Sequence, residues 1–259
     1  MLNFIIQVDK ENGMPINDFT YQAYEAIKFM NWVYSHELEP IYAHCQFACL
    51  EQLQKWEGDV YEHHIPVGTI EFVHTYMEKI GKEIPKPINV PESLFDFAGR
   101  RIVNGSISSF NSFKKEKDVY VKSNDEIKDD DNDLYSSQPH SKGGSFQMSD
   151  WVSDIEKEFR LFIFNNEIRG ISLYRIDNEK ENMFNPYVGL DKVFCEKAVE
   201  AYQDSPIAYT LDIGIRSNGE NLVIECHNFY SCGIYGWSNY AAYINMITGW
   251  WKQWLSQKK

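Results

Sequence analysis

The chain has 259 residues, 43% of them hydrophobic and 15% aromatic, enough apolar material for one large or two small globular domains and too much for a disordered chain. Lys and Arg number 25 against 38 Asp and Glu, and the net charge of −13 argues against a general nucleic-acid or anionic-membrane binder. No run approaches the ~18 apolar residues of a membrane-spanning helix, and Met1–Asp9 reads as a strand rather than a secretory leader. Five cysteines, odd in number and without disulfide spacing, lead us to expect a reducing, cytoplasmic setting.

Phe4–Val8 is a short apolar strand candidate, followed by Phe19–Glu37 with Ala23, Ala26, Ile27, Met30 and Val33 at helical spacing. Pro40–Ala43 is a second strand candidate and Cys45–Trp56 a second helix. Ile65–Thr69 reads as a strand end and turn that open a helix over Ile70–Ile80, which Gly81 terminates. Strands alternating with helices predict an α/β unit with a mainly parallel sheet. Pro85, Pro87 and Pro91 mark a linker, so the expected domains are 1–90 and 91–259. Beyond it, Asp118–Lys122 is strand-like and Ser123–Gly144 polar and flexible. Hairpin text follows over Phe159–Phe164, Ile168–Tyr174, Ile207–Ile215 and Asn221–Cys226, with helices near Leu190–Tyr202 and Asn239–Leu255. The second part is therefore expected to be antiparallel α+β.

The most informative segment is Tyr209–His227. Asn218-Gly219 between strand-like flanks predicts a two-residue type I′ hairpin turn. In that register Asp212 and Glu225 face each other across the ladder. Period two puts Val223 and His227 on the face of Glu225, and Leu211, Ile213, Leu222 and Ile224 on the buried face. Like charges directly opposed are destabilising, and a divalent cation such as Mg²⁺ held by carboxylates relieves the repulsion. Alternatively the side chains splay into water, or one carboxyl stays protonated.

Lys122 ends a strand-like run and Arg160 alternates with Phe159 and Leu161, so both are candidates for an anionic ligand, although most strand cations are solvated or paired. Lys142-Gly-Gly-Ser145 lacks the order of a phosphate-binding glycine loop. Asp129–Asp133 is not a calcium loop, because Leu134 and His140 stand where glycine and glutamate are needed. His44, Cys45 and Cys49 lack a second ligand pair for zinc, and Trp250, Trp251 and Trp254 sit at core spacing on a helix.

In order, Val-Tyr-Val-Lys122-Ser, Glu158-Phe-Arg160, Leu211-Asp-Ile-Gly and Val223-Ile-Glu-Cys-His-Asn resemble the ATP-grasp fold. More narrowly they are similar to its clade named for one arginine and two lysines, here Arg160, Lys122 and Lys128. Phe229–Gly236 resembles the aromatic, glycine-rich tail of the last metal motif, and Ile65–Phe72 the segment preceding the grasp domain. The resemblance implies an N-terminal α/β pre-ATP-grasp domain and C-terminal antiparallel sheet lobes enclosing a nucleotide cleft.

Carried over by position, it implies ATP and Mg²⁺ as cofactors. Lys122 and Lys128 would contact phosphates, and Arg160 the triphosphate or a reacting acyl phosphate. Asp150, Trp151 and Val152 would form the hinge that receives adenine, and Arg101 a further phosphate or substrate contact. Asp212, Glu225, His227 and Asn228 would form the metal set, with His227 where the family has asparagine. The implied chemistry is ligation of a carboxylate to an amine or other nucleophile through an acyl phosphate, on small-molecule or peptide substrates. A kinase on the same fold and a nucleotide-binding module without catalysis are the alternatives. Members of the clade are often encoded by bacteria and their phages. Neither the substrate nor the oligomeric state is readable from the sequence.

Overall fold

The computed structural model describes residues 2–34, 43–57, 63–106, 109, 113, 118–125, 134–135, 144–176 and 188–257. The chain forms two compact units, one from 1–85, 206–208 and 228–259, the other from 86–205 and 209–227. The first break falls beside the proline-marked linker. The last stretch returns to the first unit, because its closing helix buries an apolar face there.

In the first unit, strands β1 (Leu2–Gln7), β2 (Ala43–Ala48) and β3 (His64–Val67) form a parallel sheet in the order β2-β1-β3. Helix α1 (Asp18–Tyr34) buries Thr20, Ala23, Ala26, Ile27 and Met30, the stripe expected of a helix with one face on a core. A correction concerns Cys45–Ala48, expected to be helical. These residues continue β2, paired with β1 from Leu2↔Ala43 to Gln7↔Ala48, and only Leu50–Gln54 (α2) is helix. The Asn31 side chain fixes the start of the strand, accepting from Ala43 N at 2.7 Å and donating to Ala43 O at 2.8 Å. Ladder pairing overrides the local helical spacing. The candidate start Pro40–Tyr42 lies outside the described residues.

Helix α3 (Ile70–Lys79) opens where Thr69 Oγ1 accepts from Phe72 N at 3.3 Å, and Gly81 at φ +67° ends it.

In the second unit, β4 (Ile102–Gly105), β5 (Val119–Ser123), β6 (Leu134–Tyr135) and β7 (Phe146–Asp150) form one antiparallel sheet, in the order β4-β7-β5-β6. The other sheet contains β8 (Ile155–Phe164), β9 (Glu167–Ile176), β10 (Ala208–Arg216) and β11 (Asn221–Asn228), in the order β11-β10-β8-β9. Helix α4 (Lys192–Ala201) is capped by Asp191, whose side chain accepts from Val193 N and Phe194 N. Its Cys195, Ala198 and Val199 share a core with Phe159, Leu161, Leu211 and Ile213. Helix α5 (Tyr240–Ser256) closes the chain in the first unit, burying Trp250, Trp251 and Trp254, and Trp251 meets Tyr76 edge-on at 6.1 Å.

The β10–β11 hairpin departs from its expected register twice. Arg216 N donates to Glu220 O at 2.9 Å and Gly219 N to Arg216 O at 2.8 Å, so the loop has three residues. Gly219, at φ +84°, alone among them takes the left-handed conformation. The expected two-residue turn is thus replaced by a turn followed by a glycine bulge. This slips the register by one residue and puts Val223 in the core with Leu211 and Ile213, instead of beside Glu225 as expected. Further along, Val223 and Cys226 are both core residues, while Ile224 and Glu225 between them both line a cavity. That spacing requires one extra residue in the strand, a second bulge. The two offsets cancel, and Glu225 returns to the side of Asp212.

Candidate functional site

Within the second unit a cavity of about 410 Å³ is lined from both sheets, by Tyr120 and Lys122 of β5, Gln147 of β7, Glu158 of β8 and Glu225 of β11. The segment Asp150–Ser153, which joins β7 to β8, forms another wall. Tyr120 and Trp151 place their rings 6.0 Å apart, tilted by 44°. Gln147 braces the wall by accepting from Val90 N at 3.0 Å and donating to Val90 O at 2.8 Å.

Where Glu225 lines this cavity, Asp212 and His227 converge on it, the three offering one ligand atom each within 4.8 Å of one another. Asp212 is buried on β10. Arg160 of β8, also buried, holds it with two hydrogen bonds, Nε to Oδ1 at 2.8 Å and Nη2 to Oδ2 at 2.6 Å. His227 Nε2 lies 3.0 Å from Glu225 Oε1 and 3.7 Å from Asp212 Oδ2. Lys122 Nζ pairs with Glu225 Oε2. The repulsion that the sequence predicts between the two acids is therefore relieved by the chain's own cations, one at each carboxylate.

Burial alone would raise the Asp212 pKa, but hydrogen bonding from Arg160 and then His227 outweighs it and holds the carboxyl below its usual value. Burial lowers Lys122 to about 8; the Asp212 charge opposes the shift, while Arg100 and Arg160 add to it. Loss of water also lowers His227, against the pull of Asp212, which favours the neutral ring that a metal requires.

Arg101 does not line the cavity. It donates to Asp150 Oδ1 at 2.8 Å and Phe113 O at 2.9 Å, and its guanidinium sits 3.9 Å from the centroid of the Phe113 ring. Its neighbour Arg100, which the sequence reading passes over, lines the cavity instead. Arg100 donates to Val223 O at 2.7 Å and Ile224 O at 2.8 Å, the carbonyls beside the second bulge. An arginine doublet before a strand is a signal of sorts, but alternation cannot say which member turns inward.

Asp150 and Trp151 use their backbone N–H groups on Arg101 O and Asp118 O, at 3.1 and 3.0 Å, while Val152 adds its part of the wall. Asn228, next along β11, belongs to the first unit, where its Oδ1 accepts from Trp250 Nε1 at 3.3 Å. Lys128 lies outside the described residues. Glu158, the acid of the Glu-Phe-Arg motif, pairs with Arg175 at 3.1 Å, and both line the cavity; Arg175 carries no signal in the sequence.

No curated protein sequence matches the chain. Solved structures do. D-cycloserine synthetase DcsG superposes with a TM-score of 0.56 at 10% identity, covering 98% of this chain and 99% of that one. A RimK domain protein ATP-grasp from Sphaerobacter thermophilus gives 0.51 at 8%, covering 98% and 100%. The ATP complex of D-alanine–D-alanine ligase from Bacillus anthracis gives 0.50 at 10%, covering 98% of each chain. At such identities the likeness establishes the fold, with its α/β part and antiparallel sheets. A family model for the ATP-grasp domain, the second family of the clade named for one arginine and two lysines, matches residues 97–246. The chain therefore belongs to that clade of the ATP-grasp superfamily.

Proposed function

We propose that the protein is an ADP-forming ligase that uses ATP and Mg²⁺ to join a carboxylate to an amine or other nucleophile. The observation that carries this reading is the convergence of Asp212 and His227 on Glu225, which lines a cavity together with Lys122 and Trp151. ATP would lie along the cavity, its adenine against Tyr120 and Trp151 and read by the Val152–Ser153 segment, its phosphates toward Lys122 and Arg100. Lys128 would add a second lysine to the phosphates.

The donor set fits Mg²⁺. Two carboxylates supply the hard oxygens it prefers, and His227 supplies a nitrogen where an amide oxygen would suit it better. Asp212 and Glu225 would hold the ion, with His227 as a further candidate. When bound, it would neutralise charge on the transferring phosphoryl group. The chain's own residues would do the rest. Arg160 keeps Asp212 ionised and fixes its orientation. Lys122, in exchanging Glu225 for phosphate, would bring a positive charge to the nucleotide. The substrate carboxylate oxygen would attack the γ-phosphorus and ADP would leave. The amine would then attack the acyl carbon, losing a proton and expelling phosphate. No side-chain nucleophile is needed, since holding both reactants in one cleft removes much of the barrier.

Small carboxylates and peptides are the substrate classes we favour, since DcsG and D-alanine–D-alanine ligase carry small-molecule products in their names. The five free cysteines suit a cytoplasmic setting, and no described helix is long and apolar enough to cross a membrane. One observation favours a second reading, a nucleotide-binding module without turnover: both oxygens of Asp212 are already engaged by Arg160.

Incubation with ATP and a panel of carboxylates and amines tests the proposal. Release of ADP and phosphate with formation of an amide supports ligation. Phosphorylated product without an amide indicates a kinase. Tight Mg-ATP binding in a thermal-shift titration, with no ADP from any pair, indicates the binding module. Wild-type turnover in Asp212→Asn would remove the assignment altogether.

A further inference from the structure

The outer face of helix α1 carries a stripe of exposed or half-exposed residues, Tyr21, Glu25, Lys28 and Trp32. At ~100° per residue they fall within about 60° of arc, opposite the buried Ala23, Ala26 and Met30. Trp32 is 65% exposed and Tyr21 49%, unusual for such large apolar side chains on one helix face. Phe29, 44% exposed, flanks the stripe and lies 6.0 Å from the Tyr240 ring. Lys28 and Glu25 bond to each other within the helix at 2.9 Å.

The order of these residues is self-complementary. Tyr21 and Trp32 are equidistant from the midpoint between Glu25 and Lys28. A two-fold axis through that midpoint, normal to the helix, lays a second α1 antiparallel on the first. Tyr21 then meets Trp32 of the other copy, and Glu25 meets Lys28, each contact occurring twice. An interface between identical subunits needs this pairing of a patch with itself. Opposite charges at its centre and aromatic side chains at both ends fix a single register.

We propose that the outer face of α1 docks on the same face of a second copy of this chain, forming an isologous dimer. A contact of one helix face is smaller than the roughly 800 Å² per partner of a standard interface, so the dimer is expected to be micromolar. With −13 on each chain, association should strengthen as salt rises from about 20 to about 150 mM, where long-range repulsion is screened.

Sedimentation velocity of the full chain over roughly 1–200 µM tests this. The wild type should shift from monomer to dimer. Lys28→Glu and Glu25→Lys should each weaken the dimer by about tenfold or more, because each creates two like-charge contacts. The double swap Glu25→Lys/Lys28→Glu should recover most of the loss, and Trp32→Ala should weaken the dimer without lowering the melting temperature. A wild type that stays monomeric throughout overturns the proposal and leaves the face to another occupant. So does a charge reversal without effect, or a double swap that fails to recover.

Discussion

Arg160 and Asp212 meet through two hydrogen bonds, at 2.8 and 2.6 Å, both side chains almost wholly out of water. A bidentate pair of this kind sets the orientation of the carboxylate as well as its charge. Removing one partner strands the other. Arg160→Met should therefore cost about 3–5 kcal/mol of stability, the usual penalty for an uncompensated buried charge, read as a lower midpoint in urea. Asp212→Asn keeps a hydrogen-bonding side chain and should unfold closer to the wild type, yet lose ATP turnover by roughly 100-fold or more.

The same pair gives an acid dependence. Asp212 titrates below its ordinary value of 3.8 in the folded chain. Its contribution to stability is therefore complete above that value and disappears as the pH falls through the lower, folded one. Melting temperatures taken between about pH 5 and pH 2.5 should fall more steeply for the wild type than for Asp212→Asn. Equal slopes would mean that Arg160 does not hold the carboxyl in its charged form.

Lys122 responds at the other end of the scale. With burial lowering it to about 8, its positive charge is present below that pH and fades above it. Nucleotide affinity should weaken between about pH 7.5 and pH 9. In Lys122→Arg, whose guanidinium stays charged, the affinity should be nearly flat over that interval. Isothermal titration with Mg-ATP at each pH makes the comparison.

Arg100 ties down the carbonyls of Val223 and Ile224 where β11 is irregular. Arg100→Met should cost about 1–3 kcal/mol by leaving buried carbonyls without a donor. It should also loosen the placement of Glu225, and weaken Mn²⁺ binding measured by electron paramagnetic resonance. Arg100→Lys, which cannot span both oxygens, is expected to fall between.

Much of the fold is legible in the sequence because local pattern and tertiary demand agree. The apolar runs of β1 and β10, the turn at Thr69 that opens a helix, and the spacing of tryptophans in α5 each say the same thing at both levels. Disagreement arises where pairing partners decide. Cys45–Ala48 looks helical alone, but lies beside β1 and is held at its start by Asn31. Asp212 and Glu225 are expected together and are together, though by a different route, since alternation puts Val223 on the wrong face. Arg100 escapes a linear reading, because the carbonyls that need it exist only once the strand is bent.

The bend at Gly219 and the bulge before Cys226 have a consequence for how this hairpin can change over evolutionary time. Each is a slip of one position, and the slips have opposite sense. Closing the bend by one residue would leave Arg216 opposite Glu220, and losing Ile224 from the bulge would leave the Glu225 carboxylate across from Asp212. Either irregularity can thus be straightened by itself without sending the acid to the oily side, so lineages of this ribbon are free to differ in length at these two places.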